Sequence, residues 1–180
     1  GGGILCGWLR NLTIKNCVFS NNLVANEWSF GGGLWMAQIY GSASITNCTF
    51  SNNSANDGGG IYCSGTDDLT IANCTFSNNS ADIGGDIYIF YDVDVTIDNC
   101  DFCGNGNNSI HGSYSGSGNT FLDECPQACP DANDDGHVGI ADLLLVLENW
   151  MGSTGGDVDG SGLVDMEDLE LVLGNWGACP

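Results

Sequence analysis

The sequence predicts a mainly β chain: a parallel β-helix of about four coils, then a small all-α module. Three observations carry that prediction. The stretch NCTFSNNSA occurs twice, at Asn47–Ala55 and Asn73–Ala81, and its Asn-Cys pair also appears at Asn16-Cys17 and Asn99-Cys100, giving intervals of 31, 26 and 26 residues. A period in the twenties marks stacked repeats, each burying its apolar face on the next. Every repeat opens on a glycine cluster and a short apolar strand: GGGILC from Gly1, GGGLWM from Gly31, GGGIYC from Gly58 and GGDIYI from Gly84. Finally, the acidic residues change density: 11 of the 23 lie in residues 131–180, which hold no Lys or Arg and carry a different, duplicated pattern.

Each coil divides into three strands. In the first, alternation turns Ile4, Leu34, Ile61 and Ile87 inward, with Cys6, Met36, Cys63 and Ile89 two residues on. Leu5, Trp35, Tyr62 and Tyr88 lie between them and are expected to stack on the outer face. The second strand (LTI at Leu12 and Leu69, ASI at Ala43, VTI at Val95) aligns Ile14, Ile45, Ile71 and Ile97 inward. After an Asn turn comes the third, with Cys17, Cys48, Cys74 and Cys100 pointing in, followed by Phe19, Phe50, Phe76 and Phe102. Asn suits such corners because it tolerates left-handed φ and its amide can bond the same residue one coil away. Two ladders are expected, Asn16/Asn47/Asn73/Asn99 and Asn22/Asn53/Asn79/Asn105. The N-x-S/T triplets at Asn11, Asn47, Asn52, Asn73, Asn78 and Asn107 are read as parts of these turns rather than as glycan acceptors.

Charge narrows the partners. Two basic residues, Arg10 and Lys15, face 23 acids for a formal net charge of −21, which argues against nucleic acid and for cations. Ten cysteines favour an oxidising compartment, and no apolar run is long enough to span a membrane, so an extracellular location is expected. The chain opens on Gly1-Gly2-Gly3 without Met or signal peptide. The expectation is a mature fragment cut inside a repeat, prone to associate through its first coil.

TIxNCTFSNNSAxxGGGIY resembles the GG-A/G-I-Y and FxxN repeats of bacterial polymorphic outer-membrane proteins, within the right-handed β-helix superfamily that also houses pectate lyases. The resemblance covers roughly residues 1–110 and implies a right-handed solenoid. Polysaccharide lyases and hydrolases on this fold imply either a basic residue that abstracts a proton or paired carboxylates. Arg10, Lys15 and His111 are the basic candidates, and His111 is read as part of a capping loop. Coil four concentrates Asp82, Asp86, Asp92, Asp94, Asp98 and Asp101 above Asp67 and Asp68, which is read as a solvated acidic edge. No catalytic residue is assigned. The ladder cysteines are expected to be free thiols, because buried Cys packs as a small hydrophobe.

Residues 131–142 read DANDDGHVGIAD and residues 157–168 read DVDGSGLVDMED. Both follow the calcium-loop plan of oxygen ligands at positions 1, 3 and 5, Gly at 6, an apolar residue at 8 and an acid at 12. Two Ca²⁺ sites are expected. One uses Asp131, Asn133, Asp135, the His137 carbonyl and Asp142; the other uses Asp157, Asp159, Ser161, the Leu163 carbonyl and Asp168. Calcium suits them because a hard cation is satisfied by several oxygens in a flexible cage. Each loop is followed by one helix, with Leu143, Leu144, Val146, Leu147 and Trp150 on the first apolar face and Leu169, Leu171, Val172, Leu173 and Trp176 on the second.

A duplicated loop-helix pair resembles a type I dockerin over residues 129–180. Dockerins imply a cohesin partner, often read through Ser-Thr at loop positions 10 and 11. Ile140-Ala141 and Met166-Glu167 stand there instead. The resemblance places the module's termini close together, which implies a Cys129–Cys179 bridge and leaves Cys103 and Cys125 to fasten a capping segment.

The expected organisation is therefore parallel β-helix repeats over 1–110, a capping segment and linker over 111–128, and a dockerin-like calcium-binding module over 129–180. The expected function is a secreted or surface-attached bacterial scaffold or adhesin. Its tail would join a cohesin-like or cell-surface protein, and polysaccharide is a further candidate ligand. The alternative is the C-terminal part of an extracellular polysaccharide lyase or glycoside hydrolase.

Overall fold

The structure is a computed structural model that describes residues 2–25, 29–90, 93–105, 108–125, 130, 132–133, 137–152 and 155–178. The chain divides into two compact units, Gly1–Cys125 and Pro126–Pro180.

The first unit is a parallel β-solenoid. Coil one supplies β1 (Ile4–Leu9), β2 (Leu12–Lys15) and β3 (Val18–Ser20). Coil two supplies β4 (Leu34–Thr46) and β5 (Thr49–Ser51), and coil three β6 (Ile61–Ala72) and β7 (Thr75–Ser77). Coil four supplies β8 (Ile87–Ile89), β9 (Asp94–Asp98) and β10 (Asp101–Cys103). A shortened turn follows with β11 (Ile110–His111) and β12 (Thr120–Leu122). Strands β1, β4, β6, β8 and β11 form one sheet in that order, with β2 on β4 and β9 on β6; the other sheet runs β12-β10-β7-β5-β3. Every pairing within these two sheets is parallel and joins each coil to the next.

Like stacks on like, as the repeat predicts. Ile14, Ile45, Ile71 and Ile97 share one register column. Phe19, Phe50, Phe76 and Phe102 form a continuous ring stack at 4.6, 5.0 and 4.8 Å, and Phe121 extends it by another 4.8 Å. Ile4 and Cys6, in coil one, lie in the inward columns yet stay partly exposed.

Three features depart from the sequence reading. The first two strands of coils two and three are continuous, as β4 and β6, with the bend carried inside the strand. There Trp8, Gln38 and Gly65, stacked between paired neighbours, all take positive φ of 54°, 56° and 58°. The outer aromatic column is not wholly outward either: Tyr62 is buried, stacked 5.2 Å from Tyr88 and covered by Phe30 at 4.7 Å. Finally, residues 111–125 include an abbreviated coil. Phe121 pairs with Phe102 at a 19-residue offset, so Asn119 falls where each earlier coil has its inward Cys. Asn119 Oδ1 accepts from Cys100 N at 2.9 Å, the role Cys100 Sγ plays for Cys74 N at 3.4 Å.

The two Asn columns prove different. Asn16, Asn47, Asn73 and Asn99 hold the left-handed corner at φ 51–54°, and Asn47, Asn73 and Asn99 are exposed. The corner column carries one long amide contact, Asn47 Nδ2 to Asn16 Oδ1 at 3.4 Å, whereas the consecutive ladder belongs to Asn22, Asn53 and Asn79: Asn22 Nδ2 donates to Asn53 Oδ1 at 2.8 Å, and Asn53 Nδ2 to Asn79 Oδ1 at 2.9 Å. Its members' neighbours, Asn21, Asn52 and Asn78, carry the positive φ. Separating the two tasks lets the ladder amides turn into the core while their neighbours absorb the turn.

The second unit contains β13 (His137–Val138), α1 (Ile140–Glu148), α2 (Met166–Gly174) and β14 (Gly177–Ala178). Its core joins residues 26 positions apart: Val138 with Val164 and Val146 with Val172, flanked by Leu143 and Leu169. The backbone repeats the symmetry. Val138 pairs with Gly177 beyond α2, and Val164 exchanges hydrogen bonds of 2.8 Å with Met151 and Gly152 beyond α1. Each helix has only nine residues, so one narrow stripe meets its partner; Leu144, Leu147, Trp150, Leu173 and Trp176, expected in the packed face, are exposed.

Candidate metal centre

Both helices begin with the same device, and it also closes the loops. In α2, Asp165 N donates to Asp168 Oδ2 at 2.8 Å while Asp165 Oδ1 accepts from Glu167 N at 2.9 Å, satisfying amides that the first helical turn leaves open. In α1, Gly139 N donates to Asp142 Oδ2 at 2.8 Å. The remaining oxygens of these acids reach back into the loops. Asp168 Oδ1 accepts from Val158 N at 2.7 Å and Asp159 N at 3.2 Å, and Asp142 Oδ1 accepts from Asn133 N at 3.1 Å. Asp142 and Asp168 are consequently fully buried.

The second loop brings together the three carboxylates that the sequence pattern names. One carboxylate oxygen from each of Asp157, Asp159 and Asp168 lies within 4.8 Å of the others. Ser161 Oγ is 3.1 Å from the Leu163 carbonyl, the other two named groups. Asp159 Oδ1 accepts from Ser161 N at 2.8 Å, and Asp157 Oδ2 from Gly162 N at 3.0 Å, an approach that φ of 92° at Gly162 permits. The Ser161 amide holds the Asp159 carboxyl below its ordinary value. Asp157 Oδ1 is buried without a hydrogen-bond partner. An orphaned carboxylate oxygen beside two further carboxylates, in a segment with no Lys or Arg, fits a hard cation.

In the first loop the described ligands are Asn133, His137 and Asp142. Burial raises the Asp142 carboxyl, but the Gly139 and Asn133 amides outweigh it and hold the group below its ordinary value. His137 lies in β13, paired with Ala178. Asp131 and Asp135 lie outside the described residues, as do Cys129 and Cys179. The other proposed bridge, Cys103–Cys125, is present, and Cys6, Cys17, Cys48, Cys63, Cys74 and Cys100 are free thiols.

The solenoid decides the family. A family model for the right handed beta helix region matches residues 1–130, in agreement with the parallel coil-to-coil register. The chain belongs to the right-handed β-helix family. No curated protein and no solved structure matches it. The family model stops before the acidic loops, so these rest on their own geometry. Among the described residues, no helix is long and apolar enough to cross a membrane.

On this β-helix, coil-four acids are not a uniform solvated edge. Asp98 Oδ1 accepts from Ser117 N at 2.8 Å and Asp101 Oδ1 from Thr120 Oγ1 at 2.6 Å, fastening the shortened turn. Asp86 is fully buried. It stands where earlier coils have the third glycine of the cluster, and its Oδ1 accepts from Asn79 Nδ2 at 2.8 Å, ending the Asn ladder. Its Oδ2 and the nearby Ser109 Oγ are buried without hydrogen bonds of acceptable geometry. Desolvation raises the Asp86 carboxyl to about 6, against the lowering effect of the Asn79 amide. Position in the repeat could have flagged this residue, since Asp replaces Gly only in GGD, but the inward direction of its side chain was not legible.

His111 is not in a capping loop; it sits in β11 and extends the aromatic column, 4.8 Å from Tyr88. Near it, burial raises the Asp57 carboxyl, Asp82 raises it further, and His111 lowers it. Arg10 and Lys15 remain on coil one, in or beside β2.

Proposed function

We propose that this β-helix protein is an extracellular, non-catalytic scaffold or adhesin whose second unit is a dockerin-like, calcium-dependent attachment module. The convergence of Asp157, Asp159 and Asp168, together with the buried, partnerless Asp157 Oδ1, carries this reading. Calcium held there, by these carboxylates with Ser161 and the Leu163 carbonyl, would neutralise the acids and fix the loop against α2. The first loop would bind a second ion through Asp131, Asn133, Asp135, the His137 carbonyl and Asp142.

Attachment follows from the surface the two helices leave open. Ile140, Leu147, Trp150, Met166, Leu173 and Trp176 are exposed, and their 26-residue spacing gives each half an equivalent apolar group. A cohesin-like or cell-surface protein is the proposed partner. Calorimetric titration of the full chain with Ca²⁺, followed by capture on immobilised cohesin modules or whole bacterial cells with and without chelator, tests the reading. Binding of calcium with calcium-dependent capture supports it; absence of calcium binding overturns it.

One observation favours a second reading, an extracellular polysaccharide-active enzyme. Burial, and then Asp82, raises the Asp57 carboxyl while His111, which stacks on Tyr88, lowers it, so Asp57 is within electrostatic reach of the aromatic column. Release of reducing or unsaturated ends from acidic polysaccharides, lost in Asp57→Asn, would establish it in place of the scaffold.

A further inference from the structure

The thiol column inside the solenoid has a geometry that its role as packing does not need. Cys17, Cys48, Cys74 and Cys100 occupy the same position in four successive coils. Each thiol points at the carbonyl two residues back, with Sγ to Lys15 O, Thr46 O, Ala72 O and Asp98 O at 3.2, 3.2, 3.3 and 3.4 Å. The four cysteines immediately precede β3, β5, β7 and β10, which pair in register at the strand spacing, so neighbouring sulfurs stand ~4.8 Å apart. All four are free thiols rather than disulfide partners. Zinc–thiolate bonds are about 2.3 Å and a two-coordinate monovalent ion bonds more closely still, so such an ion fits between neighbouring sulfurs once the two side chains close slightly on it.

The geometry points to a two-coordinate site for a thiophilic monovalent cation of the Cu(I) class between successive thiols of this column. Soft thiolate is the ligand such an ion selects, and the aspartates of the second unit are hard oxygen donors that suit calcium instead. In the exchange one M⁺ replaces two thiol protons, both released to solvent, leaving an S–M–S unit with one negative charge and no change in oxidation state. Backbone amides already face that charge: Cys48 N donates to Cys74 Sγ and Cys74 N to Cys100 Sγ, each at 3.4 Å. Cys74 and Cys100 interact directly, so their thiols titrate as a pair rather than independently. Cys17 is only partly buried, unlike the other three thiols of the column. The other inward cysteines cannot form such a site, because Met36 separates Cys6 from Cys63 in their column.

That contrast supplies the test. Cys48→Ala/Cys74→Ala leaves no two neighbouring thiols, while Cys6→Ala/Cys63→Ala removes the same number and keeps the column. The full chain and both variants are titrated anaerobically with Cu(I) against a chromophoric Cu(I) chelator, with circular dichroism to verify folding and X-ray absorption to count sulfur ligands. The expected result is two-sulfur Cu(I) in the parent and in Cys6→Ala/Cys63→Ala, with affinity lower on the order of 100-fold in Cys48→Ala/Cys74→Ala. If that variant misfolds, Cys48→Ser/Cys74→Ser replaces it. Equal Cu(I) affinity in the two double variants overturns the assignment, and so does a fall in melting temperature on adding Cu(I) to the parent, which would show that the ion prefers the unfolded chain.

Discussion

Asp86→Asn should make the solenoid more stable at neutral pH, although it removes a hydrogen-bonded carboxylate. The carboxyl of Asp86 rises from 3.8 to about 6 in the folded chain, chiefly because burial strips its water. About two pKa units correspond to roughly 3 kcal/mol, at 1.36 kcal/mol per unit. The folded pKa is raised, so the native state favours the protonated form. The contribution is fully present below pH 3.8, falls as pH rises toward 6, and is absent above it. An asparagine amide never ionises; its Oδ1 keeps the Asn79 contact, and its Nδ2 supplies a donor toward Ser109 Oγ, whose interaction with Asp86 lowers the carboxyl but is not a well-formed hydrogen bond. Urea denaturation in calcium, followed by far-UV circular dichroism at pH 7.5 and pH 4.5, compares the two proteins. The variant should be more stable by up to about 3 kcal/mol at the higher pH, with the gap closing at the lower. A variant no more stable at pH 7.5, or a gap that ignores pH, would refute the reasoning.

Three further outcomes follow from the same packing. Asn53→Ala removes a buried amide that serves Asn22, Asn79 and the Phe19 carbonyl, and should cost about 2–4 kcal/mol in urea denaturation, since more than one buried group loses its partner. Phe76→Ala interrupts the ring stack at its centre, where the side chain is fully buried, and should cost about 3–5 kcal/mol by the same measurement. Cys103→Ser/Cys125→Ser opens the bridge over a 22-residue separation, worth about 3 kcal/mol on the chain-entropy model, and limited proteolysis should then cut first between residues 108 and 125.

The repeat made the solenoid legible because stacking imposes one rule on every coil. Once Asn47-Cys48 and Asn73-Cys74 were aligned, the inward identities of Ile45, Cys48 and Phe50 followed from strand alternation alone. Positions that break the period were harder. Asp86 looks like any other acid of coil four until its side chain is seen to replace a ladder amide, and Asn119 imitates an inward cysteine without resembling one. In the second unit, oxygen ligands at fixed spacing mark Asp157, Asp159 and Asp168, whose meeting within 4.8 Å depends on local turns. The apolar face of each helix was overdrawn, because hydrophobic periodicity does not report how much of a short helix its partner can cover.

Hydrogen exchange of the full chain, measured by mass spectrometry with calcium and after rigorous chelation, tests the proposed calcium-dependent attachment module most directly. Calcium should protect amides over residues 155–178 strongly, notably those of Val158, Asp159 and Asp165 that bond Asp168, while β4–β7 exchange identically in both states. Protection over 155–178 that survives chelation unchanged would contradict the account.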